Sequence, residues 1–290
     1  MRPTFDLQSH SLHSDGDLPA ADVIAHAARD GVELVALTDH DTTDGVAEAR
    51  EAADELGLGF SAAAELSAVH GGYEDLHILG YELDDADEHL RAALNDFRGD
   101  RARRIEQMAD RLRELGFELD DAPLTARRAA GKPIGRPHLA DAVLAHPANV
   151  QRLRDEGIDG RDALFPPYLV PGAAAYVARS RPTVAQAIEV IHAAGGVAVW
   201  AHPFWDVDDE TEALATLRAF TDAVLDGVEV FYASHTREQT EALHRAAGGL
   251  LKTGSADFHG PAHERFNAFR AFELYGLEPD LGPIGARARP

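Results

Sequence analysis

The sequence predicts a seven-stranded β/α barrel interrupted once by a helical insertion. Short apolar runs alternate with helical patterns toward both ends of the chain. The alternation stops between about residues 96 and 172. Nearly every apolar run carries, or leads into, a side chain able to hold a metal ion.

The first strand is Phe5-Asp6-Leu7. In the helix that follows, Val23, Ile24, Ala27 and Ala28 share one face, with Pro19 near its start and Gly31 just past its end. Val32-Glu33-Leu34-Val35-Ala36-Leu37 reads as the second strand, and a helix with Val46, Ala49, Ala53 and Leu56 inward closes at Gly57. Leu58-Gly59-Phe60 and Leu76-His77-Ile78-Leu79 are the third and fourth strands. Ile105, Met108, Leu112 and Leu115 then mark one long amphipathic helix, followed by loop-rich and helical segments up to Pro166-Pro167 and Pro171-Gly172. The alternation resumes with Val184, Ala187, Ile188 and Ile191, spaced i, i+3, i+4, i+7 before Gly195-Gly196. Val197-Ala198-Val199-Trp200, Gly227-Val228-Glu229-Val230-Phe231 and Leu250-Leu251-Lys252-Thr253 complete the strands, with helical segments around 211–226 and 236–247 between them. The expected division is a barrel domain of 1–95 and 173–290, its sheet parallel, and an insertion of 96–172.

A chain of 290 residues, 45% hydrophobic, can bury a sizeable core. It has no cysteine, which removes disulfides, thiolate ligands and thiol nucleophiles and leaves nitrogen and oxygen to hold any metal. The net charge of −23 opposes binding of long duplex DNA but accommodates a small anionic substrate. The N-terminus lacks an apolar signal core, and no uninterrupted apolar stretch is long enough to span a bilayer, so a cytoplasmic protein without membrane partners is expected.

Gln8 and His10 follow the first strand, Asp39 and His40 the second, and Glu65 the third; His77 lies in the fourth. His202 ends the fifth, and Asp257 and His259 follow the last. In a β/α barrel the C-terminal strand ends meet on one face, so these distant positions converge on one pocket. The pairs 8/10 and 257/259 each project to one side of an extended segment. Imidazole and carboxylate together suit zinc, manganese or iron, and there are too many candidates for one tetrahedral ion.

The segments Asp6-Leu7-Gln8-Ser9-His10-Ser11-Leu12-His13-Ser14-Asp15-Gly16, Leu37-Thr38-Asp39-His40-Asp41, Ala64-Glu65-Leu66-Ser67, His77-Ile78-Leu79-Gly80, Ala201-His202-Pro203 and Gly254-Ser255-Ala256-Asp257-Phe258-His259 resemble the PHP (polymerase and histidinol phosphatase) family, in the family's order. The resemblance implies a distorted (β/α)7 barrel whose two or three divalent ions (Mn, Zn or Fe) serve phosphate-ester hydrolysis by a metal-activated water. It implies His10, Asp15, His40, Glu65, His77, His202, Asp257 and His259 as metal positions. Position 8 is Gln8 where the family has a histidine, and nearby His13 is a candidate substitute. The insertion, with Ile134-Gly135-Arg136-Pro137-His138, resembles the branch acting on nucleoside phosphates, including 3′,5′-bisphosphates, and on short RNA 5′ ends. Arg136 and His138, and more weakly His235, match places near its substrate; Asp39, His202 and His235 are the candidates for leaving-group proton transfer.

Each position also has a plainer reading. Asp15 before Gly16 is ordinary turn chemistry, Arg136 could form a surface ion pair, and Asp39 could orient a ligand instead of moving a proton. The alternatives to a small-nucleotide phosphoesterase are a histidinol-phosphate-type phosphatase and a metal-poor, non-catalytic binding or regulatory module.

Overall fold

The computed structural model describes residues 3–129, 134–179 and 181–286. Two compact units form, Met1–Asn95 with Arg181–Pro290, and Asp96–Ser180. The first holds β1 (Phe5–Asp6), β2 (Leu34–Leu37), β3 (Gly59–His70), β4 (Tyr73–Tyr81), β5 (Val197–Trp200), β6 (Gly227–Tyr232) and β7 (Leu251–Ser255), hydrogen-bonded in that order. Leu7 N–H reaches the Gly254 carbonyl at 3.3 Å, and Ser9 bridges to Phe258, so the first and last strands approach and the barrel nearly closes. The buried Asp6 carboxylate reinforces this closure by accepting Ala256 N–H at 2.9 Å and Arg270 N–H at 2.7 Å.

The helices run in chain order as α1 (Ala20–Arg29), α2 (Val46–Leu56), α3 (Glu88–Glu114), α4 (Asp121–Ala129), α5 (Arg136–Ala145), α6 (Val150–Asp155), α7 (Arg161–Tyr168), α8 (Val184–Ala193), α9 (Pro203–Asp206), α10 (Glu210–Asp222) and α11 (Arg237–Ala247). Helical periodicity identified the inner faces of α1 and α8. Val23, Ile24 and Ala27 are buried on α1, and Val184, Ala187, Ile188 and Ile191 on α8, whose Thr183 cap accepts Gln186 N–H. Burying such a stripe removes apolar side chains from water, each valine or isoleucine worth about 1.5–3 kcal/mol when fully enclosed. No described helix is long and apolar enough to cross a membrane.

The sheet is not wholly parallel as expected, because β4 runs antiparallel to both β3 and β5. His70 pairs with Tyr73 across Gly71-Gly72, and Gly71 adopts φ 57°, so a two-residue hairpin stands where a parallel crossover would need a helix. β3 also extends well beyond Phe60, which places Glu65 within the strand instead of after it.

In the second unit, Ile105, Met108 and Leu112 of α3 pack with Phe117, Leu139, Val143 and Leu164. Leu115, expected on the same inner face, lies past the end of α3 and is 38% exposed. The unit extends past the expected end at 172, because Ala175 and Tyr176 are buried in this helical core.

Candidate metal centre

The turn after β1 is built by close backbone approach. A Cβ on Gly16 would stand 2.2 Å from the His10 carbonyl oxygen, so only glycine fits there, and Gly16 N–H closes the turn on Ser11 O at 2.9 Å. Asp39 holds the turn from the neighbouring strand. Its carboxylate accepts Ser11 N–H at 2.7 Å, Ser11 Oγ–H at 2.6 Å and Ser14 Oγ–H at 2.7 Å. These bonds occupy Asp39 with the turn that carries His10 and Asp15.

Glu65 is the hub of the mouth. Its carboxylate oxygens lie 2.8 Å from His77 Nδ1, 3.1 Å from His10 Nε2, 3.2 Å from His202 Nε2 and 3.6 Å from His40 Nδ1. Three overlapping groups each bring ligand-capable atoms within 4.8 Å of one another: His10/Asp15/His40/His259, His40/Glu65/His77 and His10/Glu65/Asp257. His202 joins through Glu65 and through His77 Nδ1 at 3.3 Å. All eight metal positions implied by the sequence thus meet in one place. Gln8 is there too, but its amide Nε2–H donates to Glu65 Oε2 at 2.9 Å while its Oε1 accepts Ser255 Oγ–H at 3.2 Å. His13 is exposed and belongs to none of the three groups.

The donor atoms fit divalent cations better than they fit one another. His10 Nε2, His40 Nδ1, His202 Nδ1 and Asp257 Oδ1 are buried without a hydrogen-bond partner, although oxygens and nitrogens crowd them. Such atoms lose solvation without repayment unless a cation takes their lone pairs. His202 at φ 29° and Asp257 at φ 57° hold left-handed backbone conformations that side chains disfavour, which is a strain typical of functional positions.

Protonation follows the same crowding. Burial opposes charge on His10, His77 and His202, but Glu65, with Asp257 beside His10 and Asp206 beside His202, raises all three above the ordinary histidine value. Burial takes His40 the other way, down to about 4, against the pull of Glu65 and Asp15. Glu65 and Asp257, though buried, are held below the usual carboxylate range by their histidines.

The remaining candidates occupy distinct settings. His235 is buried; its Nδ1–H donates to Val230 O at 3.1 Å, its Nε2 has no partner, and burial lowers it to about 4. Arg136 and His138 lie in the helical unit, in the first turn of α5 and not in a loop. There His138 Nδ1 accepts Gly135 N–H at 3.0 Å, and Arg136 donates to Leu169 O at 3.4 Å.

Sequence reading missed three members of the site. Asp206 Oδ2 stands 3.4 Å from His202 Nδ1 at an i, i+4 spacing that is legible once α9 is recognised. Glu229 is fully buried, accepts His202 N–H at 2.8 Å and meets Ser255 Oγ; a lone carboxylate in the apolar run of β6 was its signal. Ser255 links Glu229 to Gln8.

The PHP domain model matches residues 6–98. A 3′,5′-nucleoside bisphosphate phosphatase of Chromobacterium violaceum is 35% identical over 267 residues, covering 89% of this chain and 87% of the relative. A 5′-3′ exoribonuclease of Haemophilus influenzae is 30% identical over 266 residues, covering 90% of this chain and 92% of the relative. A Bifidobacterium adolescentis structure described as a metal-dependent phosphoesterase superposes with a TM-score of 0.71 at 30% identity, covering 99% of this chain and 96% of that one. Similarity of this extent, together with the nearly closed seven-stranded barrel and its cluster of histidines and carboxylates, places the chain in the PHP family as a metal-dependent phosphoesterase.

Proposed function

We propose that the protein hydrolyses phosphate monoesters of small nucleotides, nucleoside mono- or 3′,5′-bisphosphates, and trims short RNA from its 5′ end. The observation that carries this is the convergence of three overlapping ligand groups, two of them sharing Glu65 and the third joined to these through His10 and His40. The C. violaceum phosphatase and the H. influenzae exoribonuclease support a nucleotide substrate. We assign two or three divalent ions, of manganese, zinc or iron, to His10, Asp15, His40, Glu65, His77, His202, Asp257 and His259. Such ions supply charge stabilisation for a phosphoryl group and a nucleophilic oxygen at neutral pH.

The chain's own residues do the rest. Glu65 holds His10, His40, His77 and His202 in register. Asp39 fixes the turn that carries Asp15 and acts as a positioning residue. His235, neutral and with its buried Nε2 unpartnered, is the residue assigned to accept a hydrogen bond from the substrate. Arg136 and His138 are assigned to the substrate phosphate on the family pattern.

The test is phosphate release by the manganese-loaded protein from adenosine 3′,5′-bisphosphate, adenosine 5′-monophosphate and histidinol phosphate. Turnover should favour the two nucleotides, and Glu65→Ala should abolish it while the circular dichroism spectrum is retained. Preference for histidinol phosphate, or full activity in Glu65→Ala, overturns the proposal.

A further inference from the structure

Among the described large apolar residues that remain exposed, Trp205 is the aromatic one, at 44%. It stands in α9, three residues after His202, and the contact between His202 Nδ1 and Asp206 Oδ2 at 3.4 Å keeps that short helix against the mouth. Phe266 lies between Trp205 and the cluster. Its ring is 5.5 Å from the indole and 5.5 Å from the His259 imidazole, and its carbonyl accepts His259 N–H at 2.8 Å. Arg265 places its guanidinium over the indole, 5.6 Å from the ring centroid. Among the described residues Arg265 meets no carboxylate at ion-pair distance, an unusual setting in a chain of net charge −23.

An exposed indole costs solvation, and a cation stacked on it leaves charge available beside an anion site. A nucleobase answers both features. Its π-face covers the indole, and its attached phosphate reaches toward His259, two ring contacts away. We infer that Trp205, with Phe266 and Arg265, forms a base-stacking subsite that makes the enzyme prefer nucleotides to sugar phosphates. The inference rests on the nucleotide reading above and adds the residues that recognise the base. Because every base has a π-face, this subsite favours nucleotides as a class without choosing among bases.

The chain has two tryptophans, and Trp200 is fully buried, so a quenching ligand reports on Trp205. With manganese-loaded protein, adenosine should quench tryptophan emission saturably, ribose 5-phosphate should not, and Trp205→Phe should abolish the response. In turnover, Trp205→Ala should lower kcat/KM for adenosine 5′-monophosphate relative to ribose 5-phosphate by about 5- to 150-fold, the value of one stacked base, and Trp205→Phe should recover most of it. An unchanged ratio in Trp205→Ala, or no quenching by adenosine, overturns the subsite. Failure to release phosphate from any nucleotide instead overturns the nucleotide reading, and adenosine quenching then still decides whether a base binds Trp205.

Discussion

The amide nitrogen of Gln8 donates to Glu65 Oε2 at 2.9 Å, so the first strand presents an N–H to the centre of the cluster where an imidazole would present a lone pair. Ser255 fixes this orientation by donating to Gln8 Oε1. An ion assigned to His10, Glu65 and Asp257 would therefore have one ligand fewer and would share Glu65 with a hydrogen bond. Gln8→His should raise the number of ions per chain that survive chelator dialysis, as read by elemental analysis. Equal metal content in the two proteins counts against the idea.

A second prediction concerns Asp39. Alanine there leaves the buried Ser11 N–H and two serine hydroxyls without their charged acceptor. Loss of such a bond costs about 1.5–3 kcal/mol. Asp39→Ala should unfold at lower urea and should also retain less metal, because Asp15 loses its fixed turn. Lost stability with unchanged metal content would reduce Asp39 to a structural role.

Metal uptake should release protons. Carboxylates beside His10, His77 and His202 raise all three above the ordinary histidine value and so favour their protonated forms in the metal-free protein, whereas coordination needs neutral imidazole. Affinity should rise as pH increases through neutrality. Calorimetric titration of manganese in buffers of different ionisation enthalpy measures the proton count directly, and buffer-independent heats would contradict the assignment.

Glu229 gives a prediction with the opposite chemistry. Burial raises its carboxyl to about 8 from an ordinary 4.5, against the pull of His202 and Ser255. Between those values the folded chain holds a proton that the unfolded chain has released. Its stabilising contribution is complete below pH 4.5 and declines as pH rises to about 8, at up to about 1.4 kcal/mol per pH unit. In metal-free protein, urea midpoints should fall between about pH 6 and pH 8, and Glu229→Gln should fall less steeply. Parallel declines would mean that Glu229 is ionised throughout.

Much of the barrel was legible because burial imposes a period on sequence: α1 and α8 show their inner faces directly. The direction of β4 was not, since Leu76-His77-Ile78-Leu79 reads the same whichever way the strand runs; only the Gly71-Gly72 turn encodes the reversal. Histidines and acids at strand ends revealed the cluster, because a β/α barrel brings strand ends together. The orientation of Gln8 was hidden, since it depends on Ser255, 247 positions away. Asp206 and Glu229 likewise gain meaning only from the backbone that sets them beside His202.

Closure of the barrel through Asp6 and Ala256, 250 positions apart, also bears on how the protein is made. As the chain leaves the ribosome, His10, Asp15, His40, Glu65 and His77 emerge well before Asp257 and His259. At ordinary synthesis rates the interval from His77 to Asp257 lasts about 10–35 s. During that time the nascent barrel has an open edge at β1 and an incomplete set of ligands. Metal binding that uses Asp257 or His259 would therefore wait for β7, whose arrival also seals the sheet.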